Sequence, residues 1–155
     1  MPDYQQGKIY TIRCRTDDTL IYVGSTIQSL AVRWGGHNKD SRKESCKNML
    51  LYKTINGNWS DWYIELHSFY PCNCVQELKR KEGEIIREIG TLNSNIAGRT
   101  NNEWIKDNKE HISEYNKKYK KEYEADINNI NKIKEYKKKY YLKKKAEKLN
   151  SINTP

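Results

Sequence analysis

The chain has 155 residues, enough for one ordinary domain and a further segment but too few for two full domains. Hydrophobic residues make up 35% and the mean hydropathy is −1.06, so part of the chain is expected to have no core of its own. No stretch is long and apolar enough for a membrane span, and residues 1–10 lack the hydrophobic core of a signal peptide, which argues against a membrane or secreted protein. The 29 Lys and Arg exceed the 20 Asp and Glu by nine, which favours a polyanionic partner, nucleic acid above all.

The first elements predicted along the chain are two strands and a helix. Residues 8–13 (KIYTIR) and 20–23 (LIYV) are rich in β-branched and aromatic residues, and the polar loop 16–18 between them fits an antiparallel hairpin. Ser25–Gln28 has the pattern of a capping box. It predicts that a helix follows over Leu30–Asn38.

Three further elements complete the first hundred residues. Cys46–Asn56 is a helix candidate that Gly57 would end, and Trp62–Leu66 (WYIEL) indicates a third strand. Val75–Ile89 is the strongest helix pattern and stops at Gly90. The order ββααβα predicts an α/β (α+β) fold, with a small three-stranded, mainly antiparallel sheet flanked by helices.

Composition changes near Thr100, which predicts two parts, residues 1–100 and a basic C-terminal tail, residues 101–155. The tail has no Gly and carries 15 Lys against 9 acidic residues, a net charge of +6, whereas residues 1–100 carry +3. Within it, NKEHISEYNKKY (108–119) is echoed by NINKIKEYKKKY (129–140), an offset of three heptads that repeats each residue on nearly the same helix face. The pattern predicts one or two long exposed helices. The alternative is a solubilising lysine-rich tail with partial helicity.

A glutamate interrupts the apolar stripe of the last core helix. Steps of three and four place Glu82 on the same face as five apolar residues, Val75, Leu78, Ile85, Ile86 and Ile89. A buried carboxylate costs several kcal/mol unless it is paired or bound to metal. Glu82 is therefore either an ion-pair partner in the core or a ligand that points into a cleft.

The helix after the hairpin also has an unusual face. Arg33 and His37 lie one turn apart beside Trp34, an arrangement that suits an anion site, since Arg binds phosphate oxygens and His moves a proton near neutral pH. The alternative is an exposed helix edge with two unrelated basic residues. Gly35-Gly36 inside this helix indicates either close backbone approach or an early helix end.

Two tyrosines, Tyr10 and Tyr22, occupy matching places on the two hairpin strands. A strand tyrosine is usually a half-buried packing residue. Together, however, the two phenols are also placed to flank a reacting phosphate.

These residues resemble those of the GIY-YIG nucleases. KIY at 8–10 and YVG at 22–24 are similar to the two tripeptides that name the family, with Lys8 in place of the first Gly and Val23 in place of the second Ile. The resemblance covers about residues 7–100, and the lysine- and tyrosine-rich tail is similar to that of small members from large DNA viruses and mobile elements. The candidate site residues stand in the family's order: Tyr10, Tyr22, Arg33, His37, Glu82 and Asn93.

The resemblance implies a divalent-metal-dependent endonuclease that hydrolyses DNA phosphodiester bonds. Tyr10 would deprotonate or orient the attacking water, with His37 as a relay, while Tyr22 and Arg33 would bind the scissile phosphate. Glu82 would hold one Mg²⁺ or Mn²⁺, because a single carboxylate suffices when phosphate and water complete the shell. Asn93 would position nearby groups, with Asn95 as the other candidate. DNA would be held by the core cleft and by the basic tail.

Other functions are also compatible with the sequence. The chain could be a nucleic-acid-binding module with a vestigial nuclease site, although such a module has no need for a carboxylate beside phosphate. A coiled-coil arm is disfavoured because the apolar stripe of the tail fails over Glu122–Asp126. Cys72-x-Cys74, with two distant cysteines, lacks zinc-site spacing and indicates reduced thiols of an intracellular protein, in a bacterial cytoplasm or a viral host cell. Oligomeric state and DNA specificity stay open.

Overall fold

A computed structural model describes residues 2–152, and for residues 127, 128 and 149–152 it describes the backbone only. Two compact units meet in sequence between Thr100 and Asn101. None of the helices in the described chain has the length and apolarity needed to cross a membrane. The elements are β1 (Lys8–Cys14), β2 (Ile21–Thr26), α1 (Leu30–Asp40), α2 (Leu50–Ile55), β3 (Trp62–Phe69), α3 (Val75–Ile89), α4 (Asn101–Asp107), α5 (Lys109–Ala125) and α6 (Ile127–Ile152).

The sheet confirms the predicted α+β architecture. Its three strands lie in the order β2-β1-β3, and both pairings are antiparallel. Tyr10 lies opposite Gly24, and Ile12 lies opposite Tyr22. The two phenols therefore share one face of the sheet but stand two residue pairs apart, not at matching places as predicted.

Alternation along the strands gives the sheet two different faces. What we call the tyrosine face carries Tyr10 and Tyr22 and packs against α1 and α2. What we call the aliphatic face carries Ile9 and Val23 and packs against Leu78 and two isoleucines of α3. The site residues of both faces meet at β2, the strand at one edge of the sheet.

α1 begins at Leu30 as predicted, but its capping residue differs from the prediction. Ser29 caps the helix by accepting a hydrogen bond from the Val32 amide, whereas Ser25 belongs to β2, so the predicted capping box is wrong. The helix continues through Gly35-Gly36 to Asp40. A Cβ at Gly35 would meet nothing within 4 Å, so the glycine pair marks neither close backbone approach nor a helix end.

The middle elements confirm the predicted order with changed bounds. The predicted helix over 46–56 is a short turn, Glu44–Cys46, followed by the separate helix α2. Asn56 ends α2 in the left-handed conformation, with φ of 48°, one residue before the predicted stop. β3 runs three residues beyond Leu66, and α3 has the predicted bounds.

The outer edge of β2 is covered by the segment that follows α3. The backbone amides of Thr91 and Leu92 donate to the carbonyl of Ile21, and the Ile21 amide donates to the Thr91 hydroxyl. These bonds satisfy backbone groups that an open edge strand would leave exposed. They also bring residues 91–95 beside Tyr22.

The second unit consists of α4, α5 and α6, so two long helices are present as predicted, with a short one before them. Asp126 has an extended backbone and ends α5 inside the segment where the apolar stripe fails. None of the side chains described between residues 101 and 148 is buried. The described side chains of the second unit therefore form no hydrophobic core, in contrast to those packed on the sheet.

Candidate active site

Tyr10 is completely buried, and the glycine on the neighbouring strand makes this possible. Its ring lies across Gly24, where a Cβ would overlap the Tyr10 hydroxyl. A larger residue at position 24 would displace the phenol. The motif glycine is therefore required sterically, a role that the sequence analysis did not recognise.

Arg33 and His37 both contact the hydroxyl of Tyr10. Arg33 Nε donates to Tyr10 Oη over 2.8 Å, and Oη lies 2.8 Å from His37 Nε2. Of the two side chains bonded to Oη, only His37 can accept a proton, because a guanidinium has no acceptor, so we assign the phenolic proton to the bond with His37 Nε2. The two basic residues of α1 therefore converge on one phenol, and the interpretation of an exposed helix edge is wrong.

His37 is held between two phenols, with no exposed surface. Its Nδ1 lies 2.9 Å from Tyr52 Oη, so a neutral ring that accepts from Tyr10 donates its only N–H to Tyr52. Burial, reinforced by the charge of Arg33, lowers the pKa of His37 to about 3. The imidazole is therefore neutral at pH 7, and it does not supply the positive field near Tyr10 that a protonated His37 would.

Tyr52 was not singled out in the sequence. It lies on α2, 15 residues after His37, in a different element from every other candidate. No spacing rule connects two helices joined by an irregular loop. Only the hydrogen bonds of His37 to both Tyr10 and Tyr52 show that Tyr52 belongs to the same hydrogen-bonded group.

Burial also affects the two phenols of the hairpin. It is the main cause of the raised pKa of Tyr10, with a contribution from Tyr22, while the charge of Arg33 acts in the opposite direction. The pKa of Tyr22 is likewise raised by burial and by the nearby Glu82 carboxylate. Both hydroxyls are therefore protonated at neutral pH.

Glu82 lies at the rim of an open cavity of about 240 Å³ that Tyr22 also lines. Its Oε2 accepts a hydrogen bond of 2.6 Å from the Ser25 hydroxyl, which projects from the aliphatic face of β2. Burial raises the pKa of Glu82, partly offset by the Ser25 bond and by the charges of Lys79 and Arg33. Of the two predicted environments, Glu82 occupies the cleft.

Both polar atoms of the Asn93 side chain form hydrogen bonds with the backbone of β2. Its Oδ1 accepts from the Val23 amide over 2.9 Å, and its Nδ2 donates to the Val23 carbonyl over 2.8 Å. The side chain thus replaces a strand partner and fixes the strand that carries Tyr22. Asn93 and Asn95 both line the cavity.

The donors around the cavity suit a hard divalent cation with few protein ligands. The part of the chain that is described holds no group of three or more His, Cys, Asp or Glu arranged for a metal. Glu82 supplies one carboxylate, and Ser94 and Asn95 line the same cavity with neutral oxygen donors. Oxygen ligands completed by water and phosphate are typical of Mg²⁺. The four cysteines are free thiols.

Comparison with known proteins assigns the family. Residues 6–95 match the GIY-YIG catalytic domain. The solved catalytic domain of the intron endonuclease I-TevI, in a variant form, is similar to this chain at 23% identity, with a TM-score of 0.48, and the match covers 61% of this chain and 96% of that one. A second structure, the catalytic domain of the homing endonuclease I-TevI, is similar at 22% identity, with a TM-score of 0.47, and the match covers 59% of this chain and 98% of that one. No curated protein matches. Because the match spans more than half of its length, the chain belongs to the GIY-YIG family and carries the catalytic domain of these nucleases.

Proposed function

We propose that the protein is a divalent-metal-dependent endonuclease that hydrolyses phosphodiester bonds in DNA. The observation that carries this proposal is the buried cluster of Arg33, Tyr10, His37 and Tyr52 next to the cavity of Glu82. A binding module needs neither a phenol bonded to a neutral imidazole nor a half-buried carboxylate at a cavity. The family match supports the nuclease assignment.

The scissile phosphate would lie at the cavity, near Tyr22 and Arg33. The guanidinium of Arg33 is positively charged at all relevant pH values and would stabilise the negative charge that develops on the phosphate. Arg33 now donates to the fully buried Tyr10. Movement of Arg33 toward the phosphate would therefore uncover the Tyr10 hydroxyl for the attacking water.

The proton of that water would pass to Tyr10 Oη as the phenolic proton passes to His37 Nε2. This transfer requires an unprotonated Nε2, which the low pKa of His37 provides, although the same low pKa makes His37 a weak base. Because the charge of Arg33 contributes to that low pKa, movement of Arg33 toward the phosphate would make His37 a stronger base. Glu82 would hold a divalent cation, Mg²⁺ or Mn²⁺, which would act as a Lewis acid for the leaving oxygen. Asn93 contributes by holding the strand of Tyr22 in place.

The decisive experiment is incubation of the full chain with supercoiled plasmid and branched oligonucleotides, with Mg²⁺ or with EDTA. We expect cleavage that requires the metal and that disappears in Glu82→Gln, which keeps the shape of the side chain. Cleavage in EDTA would contradict the metal role. Tight DNA binding with no cleavage under any condition would favour the binding module with a vestigial site.

We further propose that residues 1–100 cut DNA and that residues 101–155 hold it. The support is the charge of the tail, +6 over 55 residues. Truncation after Thr100 should weaken DNA binding and flatten the dependence of log K on log salt, because Lys–phosphate contacts release counterions. Single-turnover cleavage at saturating DNA should change less than about threefold. An unchanged salt slope would show that the tail does not bind DNA.

A further inference from the structure

The positive charge of the tail is concentrated in one of its helices. α6 carries nine Lys and two Glu, a net charge of +7, whereas α5 carries five Lys and four Glu, a net charge of +1. The short helix α4 contributes no surplus. Although both long helices contain the repeated EYxKKY motif, they are electrostatically different.

The lysines of α5 lie close to acidic residues of the same helix. Lys118 pairs with Glu122 at 4.0 Å and Lys120 with Glu124 at 3.9 Å, each one turn apart. Its tyrosines stack on one another along the helix, with ring centroids of 115 and 119 separated by 6.4 Å. α5 thus offers little net charge to a polyanion.

In α6 the lysines flank a ridge of two tyrosines. Tyr136 and Tyr140 lie one turn apart on one face and are 70% and 49% exposed. Helical spacing places one row of lysines on each side of this ridge, one row being Lys132, Lys139 and Lys143 and the other Lys137, Lys144 and Lys148. Lysines of both rows line an open cavity on the helix surface together with the ridge, and its lining is Tyr136, Lys139, Tyr140, Lys143, Lys144 and Glu147. Lys144 pairs with Glu147 at 3.0 Å, so the difference between α5 and α6 lies in their net charge and not in the absence of ion pairs.

We propose that α6 is a DNA-binding helix that lies in a groove of the duplex, with the tyrosine ridge toward the groove floor and the two lysine rows on the two phosphate backbones. The proposal rests on DNA being the substrate and names the segment that holds it. A major groove about 12 Å wide admits one α-helix, and both of its walls are polyanionic. A helix that carries cations on both flanks of two uncharged tyrosines matches that geometry, with Glu147 two turns further along the same face.

The test is binding of the full chain, in EDTA so that no cleavage occurs, to a fluorescein-labelled linear duplex over a range of salt. Three variants each replace three lysines by glutamine and so lose three positive charges. The first two change one row of α6 each: Lys132→Gln with Lys139→Gln and Lys143→Gln, or Lys137→Gln with Lys144→Gln and Lys148→Gln. The third is the matched control in α5, Lys117→Gln with Lys118→Gln and Lys121→Gln. Lys and Gln have similar helix propensity, and circular dichroism checks that helicity is kept. A fourth variant, Tyr136→Ala with Tyr140→Ala, tests the ridge.

Either α6 triple variant should lower affinity at least tenfold and reduce the salt slope by about 3, since each phosphate contact contributes about 0.9. The α5 control should change affinity less than threefold, and the ridge variant should weaken binding without changing the slope. Equal losses in α5 and α6 would overturn the assignment to α6, and an effect of only one row would overturn the groove geometry. Binding to phosphatidylserine vesicles without binding to the duplex would identify a membrane surface instead.

Loss of the nuclease assignment would not disturb this test, because it measures binding without metal. If the chain binds duplex through α6 but never cuts, the proposed function fails and the inference stands. If it cuts but the α6 variants bind normally, the inference fails alone.

Discussion

On the aliphatic face of the sheet, Ile9 and Val23 pack against apolar side chains of α3. Their neighbours in sequence, Tyr10 and Tyr22, lie on the tyrosine face, where Tyr10 contacts His37 and Tyr22 lines the cavity. The same two strands thus supply an apolar core to one helix and a chain of hydrogen-bonded polar groups to two others. Described buried side-chain N and O atoms all have partners, so the polar face is as well satisfied as the apolar one. The comparison predicts that substitutions of the polar groups around the cavity, from either face, reduce activity more than stability.

The largest effect should come from Glu82, which reaches the site from the aliphatic side. Glu82→Ala should lower cleavage by about 10³-fold or more, because a bound cation contributes several kcal/mol to the transition state. The fold should be retained, and at pH 7 it should be more stable, because a carboxylate with a raised pKa opposes folding when ionised. The stability gain should shrink as the pH falls through the raised pKa of Glu82 and should be lost below the ordinary Glu value near 4.3. Full Mg²⁺-dependent cutting by the variant would remove Glu82 from the mechanism.

On the tyrosine face, Tyr10→Phe keeps the packing of the ring and removes the group that takes a proton. Single-turnover cleavage should fall by about 10²-fold, while the free energy of unfolding should fall by less than about 1.5 kcal/mol. Tyr22→Phe should impair cutting more mildly, since its hydroxyl would only bind phosphate. A wild-type rate for Tyr10→Phe would make Tyr10 a packing residue and His37 the candidate base.

A smaller loss is expected from Tyr52→Phe, because Tyr52 acts only through His37. Without its hydroxyl the Nδ1–H loses its partner, and the ring is free to place its proton on Nε2, facing Tyr10. Cleavage should fall about tenfold. Ring ¹⁵N shifts of His37 should move from the Nδ1–H tautomer toward a mixture, a change that lost packing alone would not produce. The matched control, Tyr4→Phe, removes a phenol that packs on the aliphatic face and should change neither rate nor tautomer.

A separate effect, on stability and not on cleavage, is a pH dependence of the free energy of unfolding. The pKa of His37 is about 3 when folded and near 6.5 when unfolded, so below pH 6.5 only the unfolded state gains this proton. The free energy of unfolding should therefore fall by up to about 1.4 kcal/mol per pH unit as the pH drops from about 6 toward 3. His37→Gln should remove this contribution, whereas substitution of the exposed His67 should not. NMR that shows His37 titrating above pH 5 would contradict the buried environment.

The elements that the sequence predicts well are those whose own residues determine them. β1 and β2 follow from β-branched and aromatic composition, and α3 follows from its apolar period and its terminal glycine. The capping box at Ser25 was wrong because local spacing cannot tell a helix cap from a strand residue that bonds to a distant carboxylate.

The candidate site was predictable as a set of residue types but not as a network. Arg33 and His37 were expected on one helix face, yet the shared phenol and the neutral state of His37 depend on burial by other elements. Tyr52 could not be predicted from the sequence, because its role comes from a contact between two helices. Gly24 belongs to the recognised motif, but its steric role depends on Tyr10 being its partner in the strand register, which the sequence does not reveal.

The paired hydrogen bonds between Val23 and Asn93 have a consequence for folding order. They join residues 70 positions apart, so they form only after most of the catalytic domain has left the ribosome and found its place. Closing so long a loop is entropically costly, while the hairpin of β1 and β2 is local and inexpensive. We therefore expect Tyr10 and Tyr22 to be aligned early, and the cavity between Tyr22 and Glu82 to be completed late. A chain that ended before Thr91 would hold the hairpin without the cavity, so an incomplete product would lack the proposed nuclease site.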